Sequence, residues 1–192
     1  MMRYILASNN DHKLEEFRAL TSTLFELVGQ QQFNIPSAEE TGLTFVENAL
    51  IKARHASKLS GLPAIADDSG LEVDALGGRP GIYSARFTGD AATDGDNVSK
   101  LLAEMSGEET RNARFQCIIV LLKHELDPTP LIAHGTLAGE ILTEPRGQAG
   151  FGYDPVFYLP NLNKTVAELP AQEKNEISHR ARAFHQLLSL LE

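Results

Sequence analysis

The sequence predicts a mixed α/β protein, and three observations lead to that class. Short apolar runs at Arg3–Ser8 and Phe115–Lys123 are typical of strands. Apolar residues at helical spacing follow the first run, from Leu14 to Leu24, and recur near the end of the chain. Strands and helices alternate irregularly, which favours a mixed sheet over a regular doubly wound one.

The N-terminal region predicts a strand, a polar turn and two helices. Asn9–Asp11 separates the first strand from the first helix. The second helix is expected to begin at Thr44, because TFVE has the threonine and glutamate of a capping box. It should run to about Leu59, since a glycine and a proline follow.

The rest of the chain predicts further elements of both kinds. Residues 63–76 (PAIADDSGLEVDAL) have two apolar pieces around an acidic stretch, which indicates a hairpin with an exposed polar tip. Asn97–Met105 is expected to be helical, and Leu131–Leu142 a strand or a bent pair of strands. From Ile177 onward an apolar stripe predicts a closing helix.

Length and composition favour one globular domain over residues 1–192. The chain has 192 residues, 42% of them hydrophobic, which is enough to bury a full core. Its first residues, MMRYILASNN, lack the apolar h-region of a signal peptide. No segment approaches the roughly 18 consecutive apolar residues of a membrane span. We therefore expect no membrane partner.

Charge and cysteine content bound the partners and the compartment. The formal net charge is -9, which argues against extended contact with nucleic acid but permits a small phosphate ligand. The one cysteine, Cys117, lies in an apolar run and is expected to be a small buried hydrophobe. Without a second cysteine the chain cannot form an internal disulfide, which favours a cytoplasmic location.

The first candidate site is the turn between the first strand and the first helix. Ser8, Asn9, Asn10 and Lys13 place small polar side chains and a lysine at a helix N-terminus, where backbone N–H groups attract phosphate. The alternative is a solvated lysine. The sequence has no GxxxxGK[ST] segment, so this is not a P-loop.

The second candidate site is acidic. Asp67 and Asp68, followed by Ser69, come after the apolar AIA, and adjacent carboxylates there are costly unless a cation neutralises them. Oxygen ligands favour Mg²⁺ or Mn²⁺, and Glu39 or Glu40 could supply a further carboxylate. An ordinary turn is the alternative.

Three further stretches are unusual in composition. Gly147–Pro155 combines three glycines with two aromatic rings that could stack on a planar base. Glu173–Arg182 concentrates hydrogen-bond donors ahead of the closing helix. A glycine-rich loop and a solvated helix face are the respective alternatives. Gly77–Gly89 carries Arg79 and Arg86 and is expected to be mainly structural.

Together these motifs resemble the family of inosine and xanthosine triphosphate pyrophosphatases. The resemblance runs from end to end of the chain and depends on five motifs in order. They are Ser8-Asn9-Asn10 with Lys13, AEETGLTFVENALIKA from Ala38, ADDSGLEVDALGGRPGIYSAR from Ala66, FGYDPVF from Phe151 and EKNEISHRARA from Glu173. The family typically has Thr-Gly-Asn where this chain has Ser8-Asn9-Asn10.

The resemblance implies a fold and a set of site residues. The implied fold has an elongated mixed sheet flanked by helices, two lobes with the active-site cleft between them, and a homodimeric assembly. Asp68 is the implied general base and Mg²⁺ ligand, and Glu40 assists at the metal. The implied substrate-binding residues are Ser8, Asn9, Asn10, Asp11, His12 and Lys13 for the phosphates, Ser69, and, around base and sugar, Phe151, Gly152, Tyr153, Asp154, Lys174, His179 and Arg180.

The implied reaction is hydrolysis of a noncanonical purine nucleoside triphosphate, such as ITP, dITP or XTP, to the monophosphate and pyrophosphate. A related pyrophosphatase acting on modified pyrimidines or methylated bases is the rival enzyme, and a nucleotide-binding regulator without turnover is the rival of another class. A dinucleotide oxidoreductase is disfavoured, because no GxGxxG follows the first strand. We expect Arg180 to help distinguish ITP from ATP at the base.

Overall fold

A computed structural model describes residues 3–21 and 25–191. Within those residues the chain forms seven strands, five α-helices and several short 3-10 helices. The strands are β1 (Arg3–Leu6), β2 (Glu26–Gly29), β3 (Ala64–Val73), β4 (Asn112–Leu122), β5 (Leu131–Ile141), β6 (Phe157–Leu159) and β7 (Lys164–Thr165). The α-helices are α1 (Asp11–Thr21), α2 (Phe45–Ser60), α3 (Asp94–Glu104), α4 (Ala171–Ile177) and α5 (His179–Leu191).

The described strands form one mixed sheet in the order β2-β1-β3-β4-β5-β6-β7. Strand β1 pairs in parallel with both β2 and β3. At the other end of the sheet, β6 pairs antiparallel with β5 and with β7. The predicted mixed α/β class is confirmed.

The chain divides into two compact units. The first draws its described residues from Met1–Asp68, Cys117–Gly135 and Arg180–Glu192, and the second consists of Ser69–Gln116 and Thr136–His179. The chain passes from one unit to the other within β3, β4 and β5, so the strands are shared. The predicted cleft between two lobes and the single domain over residues 1–192 stay predictions.

The first unit buries apolar residues in two clusters that share strands β1, β3 and β4. One cluster includes Phe17 and Phe184 from α1 and α5, whose rings meet edge to face at 6.4 Å. The other packs the alanines of α2 on the sheet, and Ala49, Ala53 and Ala56 are all fully buried. Small side chains on one helix face therefore allow α2 to approach the strands closely.

The second unit has one large apolar cluster of its own. Leu71 and Val73 from β3 pack there with Leu101 from α3 and with Phe157 from β6. Phe115 from β4 lies 4.3 Å from Phe157, ring centroid to ring centroid. Helix α3 is closed at its start by a reciprocal capping box that the sequence analysis did not single out.

The boundaries of α2 agree closely with the sequence, whereas α3 begins at Asp94, three residues before the predicted Asn97. Thr44 Oγ1 accepts the Glu47 N–H, and the Glu47 carboxylate accepts the Leu43 N–H, so the predicted capping residues do act at the start of α2. The helix ends at Ser60, and Gly61 follows with a φ of 69°, a conformation that favours glycine. Leu24, expected in the first helix, lies outside the described residues.

One sequence expectation was wrong, one strand was missed and one expectation was incomplete. Residues 64–73 form one continuous strand instead of a hairpin, and Asp67 and Asp68 lie in its middle, nearly fully buried. Strand β2, only four residues long, was not predicted. The closing segment consists of two helices, because α4 ends before Ser178, which has extended backbone, and α5 begins at His179. Buried charge in β3 is possible because side chains from elsewhere neutralise it.

Cys117 is fully buried, and that burial raises the pKa of its thiol to about 12. The thiol is therefore protonated at neutral pH, as expected for a buried hydrophobe. Across the described helices, none combines the length and the apolar character needed to cross a membrane.

Candidate active site

Strand β3 places two neighbouring carboxylates inside the protein. Asp67 is 1% exposed and Asp68 is 6% exposed. Successive side chains of a strand point to opposite faces, so the two carboxylates meet different neighbours. Ser69, the next residue of β3, is half-buried.

Asp67 is the centre of a buried ion network in the first unit. Its Oδ2 lies 2.9 Å from Lys13 Nζ and 3.3 Å from a guanidinium nitrogen of Arg180. Arg180 is 1% exposed and also contacts the Glu16 carboxylate. Burial alone would raise the pKa of Asp67, but the charges of Lys13 and Arg180 outweigh it and hold that pKa far below its usual range. Asp67 is therefore ionised and balanced by protein cations.

Asp68 is paired with a lysine that sequence reasoning missed. Lys52 Nζ, from α2, lies 2.6 Å from Asp68 Oδ1 and 3.1 Å from Glu40 Oε1. Burial raises the pKa of Asp68 despite the opposing charge of Lys52. Burial would lower the pKa of Lys52, but Asp68, Asp67 and Glu40 together raise it. Lys52 thus stays protonated and joins two carboxylates.

The second oxygen of Asp68 is free to act on a ligand. Asp68 Oδ2 is buried and accepts no hydrogen bond from the residues that the structure describes. A buried acceptor without a partner is costly, and such atoms are concentrated at functional sites. A carboxylate with a raised pKa and an unused oxygen is suited to take a proton from water.

The same residues fit a divalent cation in part. Asp68 and Glu40 present carboxylate oxygens to one lysine nitrogen, and Asp68 Oδ2 has no other partner in the described chain. Among residues 3–21 and 25–191 there is no group of three histidine, cysteine or acidic side chains placed to hold a metal. Mg²⁺ commonly uses one or two carboxylates and completes its shell with water and substrate phosphates. The donor set is therefore compatible with Mg²⁺.

The predicted phosphate turn is organised by its own side chains. Ser8 Oγ accepts the Asn10 N–H at 3.1 Å, and Asn10 Oδ1 accepts the Lys13 N–H at 3.1 Å. Asn9 donates to Ser37 Oγ at 2.7 Å. Asp11 and His12 are exposed in the first turn of α1. The turn therefore holds Lys13 at a helix start, with its ammonium directed to Asp67.

The second unit brings together three of the residues predicted at the base and sugar. Lys174 Nζ lies 2.9 Å from Asp154 Oδ2 and 4.4 Å from the centre of the Phe151 ring. The same Asp154 oxygen accepts the Phe151 N–H at 3.0 Å. Gly150 makes this possible, since its φ is 80° and a Cβ there would lie 2.1 Å from that oxygen. Asp154 therefore fixes both the cation and the ring beside it.

A small pocket adjoins this cluster. His179 stacks on Phe115, with ring centroids 4.9 Å apart and planes 18° apart. The lining is mostly apolar with one ion pair, and consists of Phe115, Leu137, Asp154, Val166, Leu169, Lys174, Ile177, Ser178 and His179. The volume of this pocket is about 10 Å³, which is room for about one water molecule, so the pocket by itself does not hold a purine base.

Two predicted base contacts have other surroundings. Tyr153 is 4% exposed, belongs to the core of the second unit and donates its hydroxyl to the Ser84 carbonyl at 2.9 Å. Arg180 lies with Asp67 and Glu16 in the first unit. These contacts favour Phe151 over Tyr153 as the stacking ring and associate Arg180 with the carboxylates.

Sequence reasoning missed Lys52 and Glu16 for an identifiable reason. Both lie on helices whose spacing of polar residues is ordinary, and Lys52 differs from the exposed Lys58 of the same helix only in lying inside the motif that begins at Ala38. A buried carboxylate pair requires cations nearby, and that requirement was assigned to a metal. The structure supplies Lys13, Lys52 and Arg180 as well.

The fold and this site define a mixed α/β protein with a buried, protein-neutralised carboxylate pair and an apolar pocket that ends in an ion pair. Residues 4–190 match the model of the Ham1 family. A dITP/XTP pyrophosphatase of Photobacterium profundum is 53% identical over 194 residues, covering 100% of this chain and 98% of the relative. The chain belongs to the Ham1 family.

Two further relatives agree over the full length. A dITP/XTP pyrophosphatase of Escherichia coli (strain K12) is 53% identical, again covering 100% of this chain and 98% of the relative. The solved structure of a HAM1 protein from Coxiella burnetii is 50% identical and superposes with a TM-score of 0.94, covering 100% of this chain and 98% of that one. The family expected from the motifs is confirmed.

Proposed function

We propose that this chain hydrolyses noncanonical purine nucleoside triphosphates, ITP, dITP and XTP, to the monophosphate and pyrophosphate. The relatives at 53% identity carry the name dITP/XTP pyrophosphatase. The observation that carries the proposal is Asp68, which is buried, has a raised pKa and has one oxygen without a hydrogen bond in the described chain. That carboxylate suits direct hydrolysis by an activated water.

The residues of the first unit divide the chemical work. Asp68 takes the proton of the attacking water, while Lys52 holds its Oδ1 and so orients Oδ2. Lys13 and the turn from Ser8 bind the phosphates, where negative charge builds during the reaction. Asp67 holds Lys13 in place through an ion pair, with Oδ2 2.9 Å from Lys13 Nζ.

We assign Mg²⁺ as the cofactor, held by Asp68 and Glu40 together with the substrate phosphates. When bound, Mg²⁺ neutralises phosphoryl charge and orients the triphosphate. Lys52 contacts the same two carboxylates, so it keeps them together before substrate arrives. The support for this assignment is the shared lysine, which brings a carboxylate oxygen of Asp68 and one of Glu40 to the same nitrogen.

The second unit would bind the base. Phe151 offers a ring face, and Lys174, held by Asp154, offers donors toward the 6-oxo oxygen that hypoxanthine and xanthine carry. Adenine presents an amino group at that position, which leaves a donor without a partner at about 1–3 kcal/mol. The proposed order of substrates is ITP, dITP and XTP first, GTP well behind and ATP lowest.

The expected assembly and compartment complete the proposal. A homodimer follows from the family resemblance, and a cytoplasmic location is consistent with a single cysteine in the sequence. A small nucleotide, with no nucleic acid, is the expected partner, because a net charge of -9 opposes a polyanionic backbone.

A substrate panel tests the proposal. Pyrophosphate release is measured with Mg²⁺ for ITP, dITP, XTP, GTP and ATP and for one modified pyrimidine triphosphate. We expect the three noncanonical purine nucleotides to be turned over at least tenfold more efficiently than ATP, about the effect of one mismatched donor. Preference for the pyrimidine would identify the rival enzyme class. No turnover of any nucleotide would favour a binding protein.

A further inference from the structure

Every residue of the loop Phe151–Asp154 makes a hydrogen bond, and three of these bonds join the loop to other parts of the second unit. The Phe151 N–H donates to Asp154 Oδ2, and the Gly152 N–H donates to Asp94 Oδ2 at 2.6 Å. The Tyr153 hydroxyl donates to the Ser84 carbonyl, and the Asp154 carbonyl accepts the Ala167 N–H at 3.2 Å. A loop held at each residue has little conformational freedom left to lose when a ligand binds.

Asp94 holds the loop from helix α3. It is the first residue of that helix, directly after the capping residue Thr93, where the helix dipole favours a carboxylate. A hydrogen bond to a charged acceptor is roughly twice as strong as a neutral one. Gly152, the donor, has a φ of 61°, a conformation that glycine adopts without strain. The contact joins residues 58 positions apart.

Tyr153 connects the loop to the stretch Gly77–Gly89, which has no role in the proposed function. Ser84 lies in the 3-10 helix Gly81–Arg86 and is 8% exposed. Its carbonyl accepts the Tyr153 hydroxyl, while its Oγ donates to the Gly81 carbonyl at 2.6 Å and accepts the Leu71 N–H at 2.8 Å. The loop is thereby connected to strand β3 by two buried hydrogen bonds.

We propose that Asp94 and Tyr153 are positioning residues for base recognition: they hold Phe151 at the place where a purine base stacks. The 3-10 helix Gly81–Arg86 provides the acceptor for the Tyr153 hydroxyl. The inference depends on the proposed function, since it takes Phe151 as the stacking ring. Neither side chain needs to touch the nucleotide. Their removal should therefore weaken contacts with the base and leave contacts with the phosphates unchanged.

The test separates the base from the phosphates by using the two products. Dissociation constants are measured for IMP and, with Mg²⁺, for pyrophosphate. We expect Asp94→Ala to weaken IMP binding by about fivefold, the usual net effect of losing one hydrogen bond. Pyrophosphate binding should be unchanged. Asp94→Asn keeps an acceptor oxygen and should recover most of the affinity for IMP.

Asp96→Ala is the matched control, because it removes the capping box of the same helix and leaves Asp94 in place. It should lower the melting temperature without changing IMP binding. Tyr153→Phe keeps the ring in the core and removes only the hydroxyl, and it should also weaken IMP binding with no effect on pyrophosphate.

Three results would overturn the inference: unchanged IMP binding in Asp94→Ala, equal losses for IMP and pyrophosphate, or the same loss in Asp96→Ala. Each of these results counts against the inference only if the wild-type protein binds IMP and hydrolyses dITP. Wild-type protein that does neither would instead refute the proposed function, and with it the role assigned to Phe151.

Discussion

Asp67 and Asp68 are adjacent residues of one strand whose carboxyl pKa values move in opposite directions. Lys13 and Arg180 outweigh the burial of Asp67 and keep it ionised, whereas burial prevails at Asp68. The difference arises because one oxygen of Asp67 contacts two cations, Lys13 and Arg180. Asp68, in contrast, contacts one lysine, which it shares with Glu40. Neighbouring groups with diverging pKa values are typical of sites with divided roles.

Lys52→Met should move the acid limb of the pH profile of kcat/KM to higher pH. Lys52 lowers the pKa of Asp68, so its removal raises that pKa. A general base, the role proposed for Asp68, acts only when deprotonated, so more alkaline solution is needed to reach the same active fraction. Profiles are compared at one Mg²⁺ concentration, with Lys58→Met on the exposed part of the same helix as control. An unmoved limb, or one moved to lower pH, would contradict the pairing.

Asp67→Asn should destabilise the protein by about 3–5 kcal/mol, measured by urea denaturation at pH 7. The substitution removes the charge that balances buried Arg180 and Lys13, and breaking a buried pair leaves the partner uncompensated. Glu26→Gln breaks the exposed pair with Arg3 and serves as the control with little change expected. Equal, small effects of both would show that the buried network contributes nothing.

At the scale of elements, the sequence predicted helices better than it predicted β3. The ends of α2 follow from Thr44 and Gly61, which act through local hydrogen bonds and backbone conformation. Strand β3 was interpreted as a hairpin because Asp67, Asp68 and Ser69 form turns in most contexts. Only contacts with α1, α2 and α5, which are distant in sequence, make buried carboxylates tolerable there.

Gly150→Ala should destabilise the loop that carries Phe151 and Asp154 more than its backbone conformation alone requires. Gly77 is the control, since it also has positive φ, 64°, but a Cβ there meets nothing within 4 Å. Gly77→Ala should cost about 1–2 kcal/mol from strain alone. Gly150→Ala adds a clash with Asp154 Oδ2 and should also weaken IMP binding several-fold. Equal effects on stability and on IMP would contradict the role of Gly150.

At the scale of the whole molecule, the motifs identified the family, and the structure added the partners of each charge. Residues 4–190 match the Ham1 family, as the order of the five motifs predicted. The spacing of Lys52 on α2 is that of any solvated lysine, and its place inside the motif that begins at Ala38 was the one signal that could have singled it out. Its function depends on Asp68 and Glu40, which lie on other segments of the chain.

Excess EDTA should abolish turnover of dITP while leaving the circular dichroism spectrum and the melting temperature unchanged. The two carboxylates on Lys52 and the substrate phosphates are the expected metal ligands, so we expect metal to be needed for the reaction and not for folding. Addition of Mg²⁺ should restore the rate. Full activity in EDTA would exclude a metal-dependent mechanism, and loss of folding would indicate a structural metal.

We propose above all that Asp68 activates water for cleavage of a nucleoside triphosphate to the monophosphate and pyrophosphate. The most direct measurement is quantification of all products formed from dITP with Mg²⁺ by the wild-type protein and by Asp68→Asn. We expect one pyrophosphate per dIMP, and a rate about 10²–10⁴-fold lower in Asp68→Asn, the usual loss when a general base is removed. Formation of dIDP and phosphate, or an Asp68→Asn rate above about a tenth of wild type, would contradict it.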